Sequence, residues 1–236
     1  SRASLLVWEA VADARTRVGG RTPQACAERL AWLAGELCEV HGIRIDQDGE
    51  LPEGPVVLVA NHVGYLDPMV LLSRIPALPI AKRELGDWPL VGRALAPLGV
   101  SLVRRGDPYD GARALRRAAV ALEDGVGVLV YPEGTTTGGA SVLPLRRGIF
   151  GVARRMGIPV VPVVLRYESR SAAWVGDEWF LPHYARTLAT ESLRVRLTIG
   201  SPITSRQDPQ SFARFVQHRM IAMLDRSARP RLVHAA

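Results

Sequence analysis

The sequence has few of the features that mark several common classes of protein. Aromatic residues make up only 6% of the 236 residues and do not interleave with the arginines, so a base-stacking nucleic-acid surface is not indicated. No apolar run approaches the roughly 18 residues of a membrane-spanning helix. The only two cysteines, Cys26 and Cys38, fall about 18 Å apart on one predicted helix. That distance excludes a disulfide between them and favours a reducing compartment.

Several catalytic and cofactor motifs are also missing. The sequence has no Gly-x-Ser-x-Gly nucleophile motif, no Walker phosphate loop and no dinucleotide fingerprint. Four histidines lack metal-ligand spacing and are predicted to be structural or at the surface: His41, His183, His218 and His234. We therefore expect no metal site and no bound cofactor.

Lysine is nearly absent, since Lys82 is the only lysine among the 30 basic residues. With 23 acidic residues, the net charge is +7. Arginine has a planar fork of donors that suits phosphate and carboxylate groups. Such a surface favours anionic lipid headgroups, acidic carrier proteins, coenzyme A or nucleic acid. The shortage of aromatic residues argues against the last of these.

The first 41 residues are predicted to form two helices, over 4–17 and 23–41, with Thr22 and Pro23 starting the second. One interpretation is a helical hairpin that packs on the main domain. The other is a membrane-facing element with Trp8 at the lipid boundary.

After Gly42, short apolar runs alternate with helical patterns up to about residue 226. The predicted strands are Ile43–Ile45, Val56–Ala60, Leu78–Ala81, Val100–Val103, Val126–Tyr131, Val160–Leu165 and Leu193–Ile199. The predicted helices are Pro68–Arg74, Trp88–Leu98, Tyr109–Glu123, Ile149–Met156 and Pro209–Asp225. This alternation predicts an α/β fold: a single domain over 42–226 with a mostly parallel central sheet flanked by helices, followed by a loose tail over 227–236.

The segment from Asn61 to Asp67 follows a predicted buried strand and is the most informative part of the sequence. It lies where open α/β sheets bind their ligands. A neutral imidazole at His62 can accept a proton near pH 7, and the Asp67 carboxylate can fix its tautomer and stabilise the imidazolium. No protein nucleophile accompanies this pair, so the nucleophile is expected to come from a substrate.

Three more segments follow predicted strands. Gly99–Arg105 ends in two arginines that can bind a phosphate or simply pair with nearby aspartates. Tyr131–Thr135 places Glu133 and a glycine in a turn that could orient an acceptor hydroxyl, or that is an ordinary connection. The prolines in Ile158–Leu165 argue against a regular central strand and suggest a stiff pocket wall or an edge strand.

Together, these four segments resemble the glycerolipid and lysophospholipid acyltransferases, including bacterial 1-acylglycerol-3-phosphate acyltransferases. The resemblance covers about residues 40–205. Asn61, His62 and Asp67 match the family's first block, and Gly99 and Arg105 match its second, with leucine at the aromatic position. The third block matches from Pro132 to Thr135, and the fourth is similar to the apolar stretch at Ile158–Leu165.

The resemblance implies a role for each matched residue. His62 would be the general base and Asp67 would orient it. The acceptor would be held by Asn61, Arg105, Glu133, Gly134 and Thr135, with Lys82 and Arg104 as further cations. Thr136 stands where the family usually has an arginine, so a phosphomonoester acceptor is less favoured than a lysophospholipid with a covered phosphate, an ornithine-type lipid or a specialised lipid-like acceptor.

The implied activity is transfer of a fatty acyl group from acyl-CoA or acyl carrier protein to the hydroxyl of a lyso-lipid, without a covalent intermediate. The implied location is cytoplasmic, peripheral on the inner face of the cell membrane, against an anionic lipid surface. Two alternatives stay open: a thioesterase or lipase that uses water as acceptor, and a lipid- or carrier-binding module without turnover.

Overall fold

Seven strands form one sheet in the computed structural model, which describes residues 22–83, 95, 98–104, 106–176, 179–188 and 193–227. The strands are β1 (Ile43–Asp48), β2 (Val57–Ala60), β3 (Ala77–Lys82), β4 (Ser101–Val103), β5 (Gly127–Val130), β6 (Val160–Tyr167) and β7 (Leu193–Ile199). Their order across the sheet is β1-β7-β6-β2-β5-β3-β4, and only the β6–β7 pair is antiparallel. The predicted α/β fold with a mostly parallel sheet is confirmed.

Six α-helices accompany the sheet in the described residues. They are α1 (Pro23–Val40), α2 (Asp67–Leu72), α3 (Pro108–Glu123), α4 (Gly148–Met156), α5 (Phe180–Leu188) and α6 (Pro209–Ser227). Helix α1 begins as predicted, because the Thr22 hydroxyl oxygen accepts a hydrogen bond from the backbone N–H of Ala25. Helix α5 was not predicted.

Some predictions concern residues outside the described ranges. These are the helix over 4–17, most of the helix over 88–98, and the tail after residue 227. None of the helices that the structure does describe combines the length and apolar character needed to cross a bilayer.

Helices cover both faces of the sheet and bury its central strands completely. Helices α1 and α2 pack on one face, against alternate strand residues such as Leu58 and Val163. Helices α3, α4 and α6 pack on the other, against residues such as Val57 and Val164. All four residues of β2 are fully buried, which explains why this strand is a continuous apolar run in the sequence.

The prediction that prolines would keep β6 from being a regular central strand is wrong. Strand β6 is continuous from Val160 to Tyr167 and lies between β7 and β2. The carbonyl of Pro162 accepts a hydrogen bond from the N–H of Gly200, just past the end of β7. The backbone nitrogen of Pro162 points the same way, toward the end of β7. Its lack of a proton therefore removes no hydrogen bond between β6 and β2.

The carboxyl ends of β2, β5 and β6 meet at one edge of the sheet because these three neighbours are parallel. His62 follows β2, Glu133 follows β5, and Tyr167 is the last residue of β6. Residues 71 and 105 positions apart in sequence are thereby brought to one place, as expected for ligand sites in sheets of this kind.

Candidate active site

His62 and Asp67 form a close pair at this edge. The Nδ1 atom of His62 lies 2.7 Å from Oδ2 of Asp67. The Asp67 side chain is fully buried, whereas 16% of the His62 side chain is exposed. With its proton on Nδ1, the imidazole keeps a lone pair on Nε2, which has no hydrogen-bond partner among the described residues. The ring can thus accept a proton from a molecule outside the protein.

Asp67 accepts four hydrogen bonds in all. Besides His62, its Oδ2 accepts from the backbone N–H groups of Val63 at 2.6 Å and Gly64 at 2.9 Å. Its Oδ1 accepts from the hydroxyl of Tyr167 at 2.9 Å. These donors stabilise the carboxylate without water and fix its orientation toward the imidazole.

Two tyrosines without a predicted role, Tyr131 and Tyr167, contact the His62–Asp67 pair. The ring of Tyr131 stacks on the His62 ring, with centroids 4.2 Å apart and planes 22° from parallel. Burial, and then the nearby Asp67 charge, raise the pKa values of Tyr131 and Tyr167 well above the ordinary range. Both therefore keep their protons at neutral pH, and Tyr167 is a permanent donor to Asp67.

The hydroxyl of Tyr131 is the one buried side-chain polar atom without a partner in the described structure. A buried hydroxyl that makes no hydrogen bond costs stability. The stacked ring, and not the hydroxyl, is what this residue supplies to the site.

Asn61 is not placed to bind substrate, contrary to the prediction. It is fully buried, its Nδ2 donates to the carbonyl of Leu165, and its Oδ1 accepts from the N–H of the same residue. Both ends of the amide are thus used by β6. Asn61 fixes the end of β2 on the sheet, next to His62.

Glu133 is likewise a scaffold residue and not a direct substrate contact. Its Oε1 accepts from the backbone N–H of His62 at 2.9 Å, and its Oε2 accepts from the N–H of Leu143 at 2.8 Å. Burial raises the pKa of Glu133, although the two backbone donors oppose that shift. The carboxylate joins the loop after β2 to the loop after β5.

The turn after Glu133 lies against the guanidinium group of Arg146. Gly134 has a φ of +74°, and a Cβ there would lie 2.7 Å from the guanidinium carbon of Arg146. Only glycine allows the guanidinium so close to this turn. Arg146 is exposed, and no carboxylate of the described residues pairs with it. Thr135 is exposed beside it.

The described structure does not bring the predicted cations, Lys82, Arg104 and Arg105, to the His62–Asp67 pair. Arg104 is exposed just past the end of β4, three strands from β2. Lys82 ends β3, but its side chain is outside the described part, as is all of Arg105.

The backbone N–H groups of Gly64 and Gly134, in the loops after β2 and β5, both have partners within the protein. The N–H of Gly64 donates to Asp67, and that of Gly134 donates to the carbonyl of Tyr131. Both donors are used within the protein, so neither can bind a developing negative charge.

Comparison with known proteins shows which family the chain resembles. The family model described as Acyltransferase matches residues 39–166, which include every residue of the pair and its surroundings except Tyr167. The chain is 31% identical over 223 residues to a lyso-ornithine lipid O-acyltransferase of Pseudomonas aeruginosa, covering 92% of this chain and 86% of the relative. It is 28% identical over 170 residues to a 1-acyl-sn-glycerol-3-phosphate acyltransferase of Neisseria meningitidis, covering 71% and 65%.

A solved structure has the same fold. The 1-acyl-sn-glycerophosphate acyltransferase PlsC of Thermotoga maritima superposes with a TM-score of 0.60 at 20% identity, over 94% of this chain and 95% of that one. The arrangement of the sheet and the matched segments therefore agree with the resemblance deduced from the sequence. The chain belongs to the Acyltransferase family.

Proposed function

We propose that this protein transfers a fatty acyl group from an acyl thioester to the hydroxyl of a lyso-lipid, with His62 as general base. The supporting observation is the His62–Asp67 pair, in which Nδ1 of His62 lies 2.7 Å from Oδ2 of Asp67 and Nε2 has no partner in the part of the chain that the structure describes. Such a base contributes about 10²- to 10⁴-fold to a rate.

In the proposed reaction, Nε2 of His62 takes the proton of the acceptor hydroxyl while the oxygen attacks the thioester carbonyl. The new C–O bond forms and the C–S bond breaks. The proton then passes from the imidazolium to the leaving thiolate, which restores the base. Asp67 stabilises the imidazolium between these steps, so the reaction needs no covalent intermediate on the protein.

For the acceptor we favour a lyso-ornithine lipid over lysophosphatidic acid. Relatives from Pseudomonas aeruginosa and Brucella abortus, 31% and 30% identical, are named lyso-ornithine lipid O-acyltransferases. The family arginine at position 136 is threonine here, which removes one cation for a phosphomonoester. The Arg146 guanidinium beside Gly134 supplies a single cation, and one arginine suits the single charge of a carboxylate.

The donor carrier is coenzyme A or acyl carrier protein. An open groove of about 380 Å³ has an apolar floor that includes Leu78 and Ala121, and its rim includes Arg113, Arg116 and Arg117. Arginines suit both the phosphates of coenzyme A and the acidic side chains of a carrier protein. We propose that the carrier contacts these arginines and that the reaction takes place at the cytoplasmic membrane surface, where a lyso-lipid lies.

The test is mass spectrometry of products formed from acyl-CoA or acyl carrier protein with a panel of lyso-lipids, by the wild type and by His62→Ala. We expect diacylated ornithine lipid from the wild type and at least about 10²-fold less from the variant. An unchanged rate in the variant would remove His62 from the mechanism. Rapid release of free fatty acid without any acceptor would establish the thioesterase alternative instead.

A further inference from the structure

Helix α5 is attached to the active-site loop through its inner face. His183 is 2% exposed, and its Nδ1 lies 3.1 Å from the hydroxyl of Tyr65, inside the His62–Asp67 segment. The same hydroxyl lies 3.2 Å from Oγ1 of Thr187, one turn further along α5. These contacts hold the helix in a defined position relative to the catalytic imidazole.

The chain just before α5 is attached to the same loop. The N–H of Trp174 donates to the carbonyl of Val63 at 3.0 Å. Gly64 permits this approach, because a Cβ there would lie only 2.9 Å from the carbonyl oxygen of Ala172. The segment leading into α5 is therefore packed directly on the active-site loop.

The outer side of this region is apolar and exposed. Trp179 is 79% exposed and Val175 is 45% exposed. The N–H of His183 donates to the carbonyl of Trp179, so Trp179 belongs to the first turn. Pro182 and Arg186, also exposed, follow at three and seven residues, which places them on the same helical face.

We propose that this outer face, consisting of Trp179, Pro182 and Arg186, inserts into the headgroup region of the lipid bilayer that contains the acceptor. Tryptophan favours this region because its ring is apolar and its N–H can still bond, and a cation one or two turns away suits phosphate groups. Because the inner face holds Tyr65, insertion would set the active site at the membrane surface. The choice of a bilayer, and not a protein partner, rests on the lyso-lipid acceptor proposed above.

The test measures binding of the full chain to sedimented vesicles of phosphatidylcholine, with and without an anionic lipid. We expect Trp179→Ala to weaken partitioning on the order of tenfold on both kinds of vesicle, because ring burial does not depend on lipid charge. Phe215→Ala is the matched control. Phe215 is also an exposed aromatic residue, at 48%, but it lies on α6, which packs on the sheet together with α3 and α4. Its partitioning should equal that of the wild type.

Three results would overturn the proposal: no vesicle binding by the wild type, equal binding by Trp179→Ala and the wild type, or a loss confined to anionic vesicles. None of them depends on turnover, so the proposal can be judged even if the proposed reaction fails.

A kinetic measurement separates docking from a direct role in the site. Trp179→Ala should lower kcat/KM for acceptor embedded in vesicles and leave kcat/KM unchanged for a short-chain acceptor dissolved as monomers. An equal loss on both acceptors would mean that Trp179 acts on the site itself, and would also overturn the proposal.

Discussion

Replacing Asp67 by asparagine would remove one negative charge from the site and nearly preserve the shape of the side chain. The amide oxygen of asparagine can take the place of Oδ2 and accept from His62, Val63 and Gly64. The amide NH₂ would then face Tyr167, whose hydroxyl can rotate to accept. The histidine keeps its tautomer, so the change isolates the effect of charge.

Two estimates bound the expected loss of kcat/KM. A hydrogen bond to a charged group is worth about 1 to 1.5 kcal/mol more than a neutral one, which corresponds to roughly tenfold. Two opposite charges about 4 Å apart at an effective dielectric constant of about 20 attract by about 4 kcal/mol, which corresponds to about 10³-fold. We expect the loss for Asp67→Asn to lie between these values.

The assay follows thiol release from acyl-CoA in the presence of the lyso-lipid acceptor, with thermal unfolding as a check on the fold. Asp46→Asn is the matched control, because Asp46 is half exposed and pairs with Arg196 at the sheet's edge. Asp67→Ala is less informative, since it leaves two buried N–H groups unpaired at about 1–3 kcal/mol each. A folded Asp67→Asn variant with kcat/KM within about threefold of the wild type would refute the assigned role.

Two further predictions concern the tyrosines. Tyr167→Phe removes the donor to Oδ1 of Asp67 and leaves a buried carboxylate oxygen without a partner. The free energy of unfolding in urea should fall by about 1–3 kcal/mol, and an unchanged value would contradict this role of the hydroxyl. Tyr131→Phe should raise the free energy of unfolding in urea by about 1 kcal/mol at neutral pH and leave kcat/KM unchanged, whereas a fall in kcat/KM would show that the hydroxyl contacts substrate. Because the folded-state pKa of Tyr131 is raised, the wild type should lose stability as pH rises above about 10, and the variant should lose less.

The strands were predictable because each is encoded locally. All seven predicted strands are present, since apolar runs bounded by glycine or proline mark buried strands without reference to the rest of the chain. Only β1 was predicted three residues too short. It is an edge strand whose burial alternates, so Asp46, Gln47 and Asp48 contribute no apolar signal.

Helix α5 was missed for a related reason. Its inner face buries His183 and Thr187, which are polar, and Pro182 lies within the segment, where a proline usually marks the end of a helix. The sequence predicted only a structural or surface role for His183. The structure adds that this histidine holds the helix on the active-site loop.

In the candidate site, too, only the features that are encoded locally could be predicted from the sequence. His62 and Asp67 are five residues apart, so their proximity follows from one short segment. Tyr131 and Tyr167 join them only through the strand order, which a single sequence does not give. Asn61 was misassigned because its partner, Leu165, is 104 residues away, and a polar side chain next to a candidate general base resembles a ligand contact.

Asn61 also affects how accurately the reacting groups can be aligned. The Asn61 amide imitates one backbone peptide and pairs with Leu165 on both its donor and acceptor sides. The main chain can therefore turn away from the sheet directly after β2, and no buried peptide group is left without a hydrogen bond. As a result, the imidazole directly follows a fully buried strand and does not lie at the tip of a connecting segment. Acyl transfer between two bound molecules needs positioning to about half an ångström, and this amide supplies the rigidity for it.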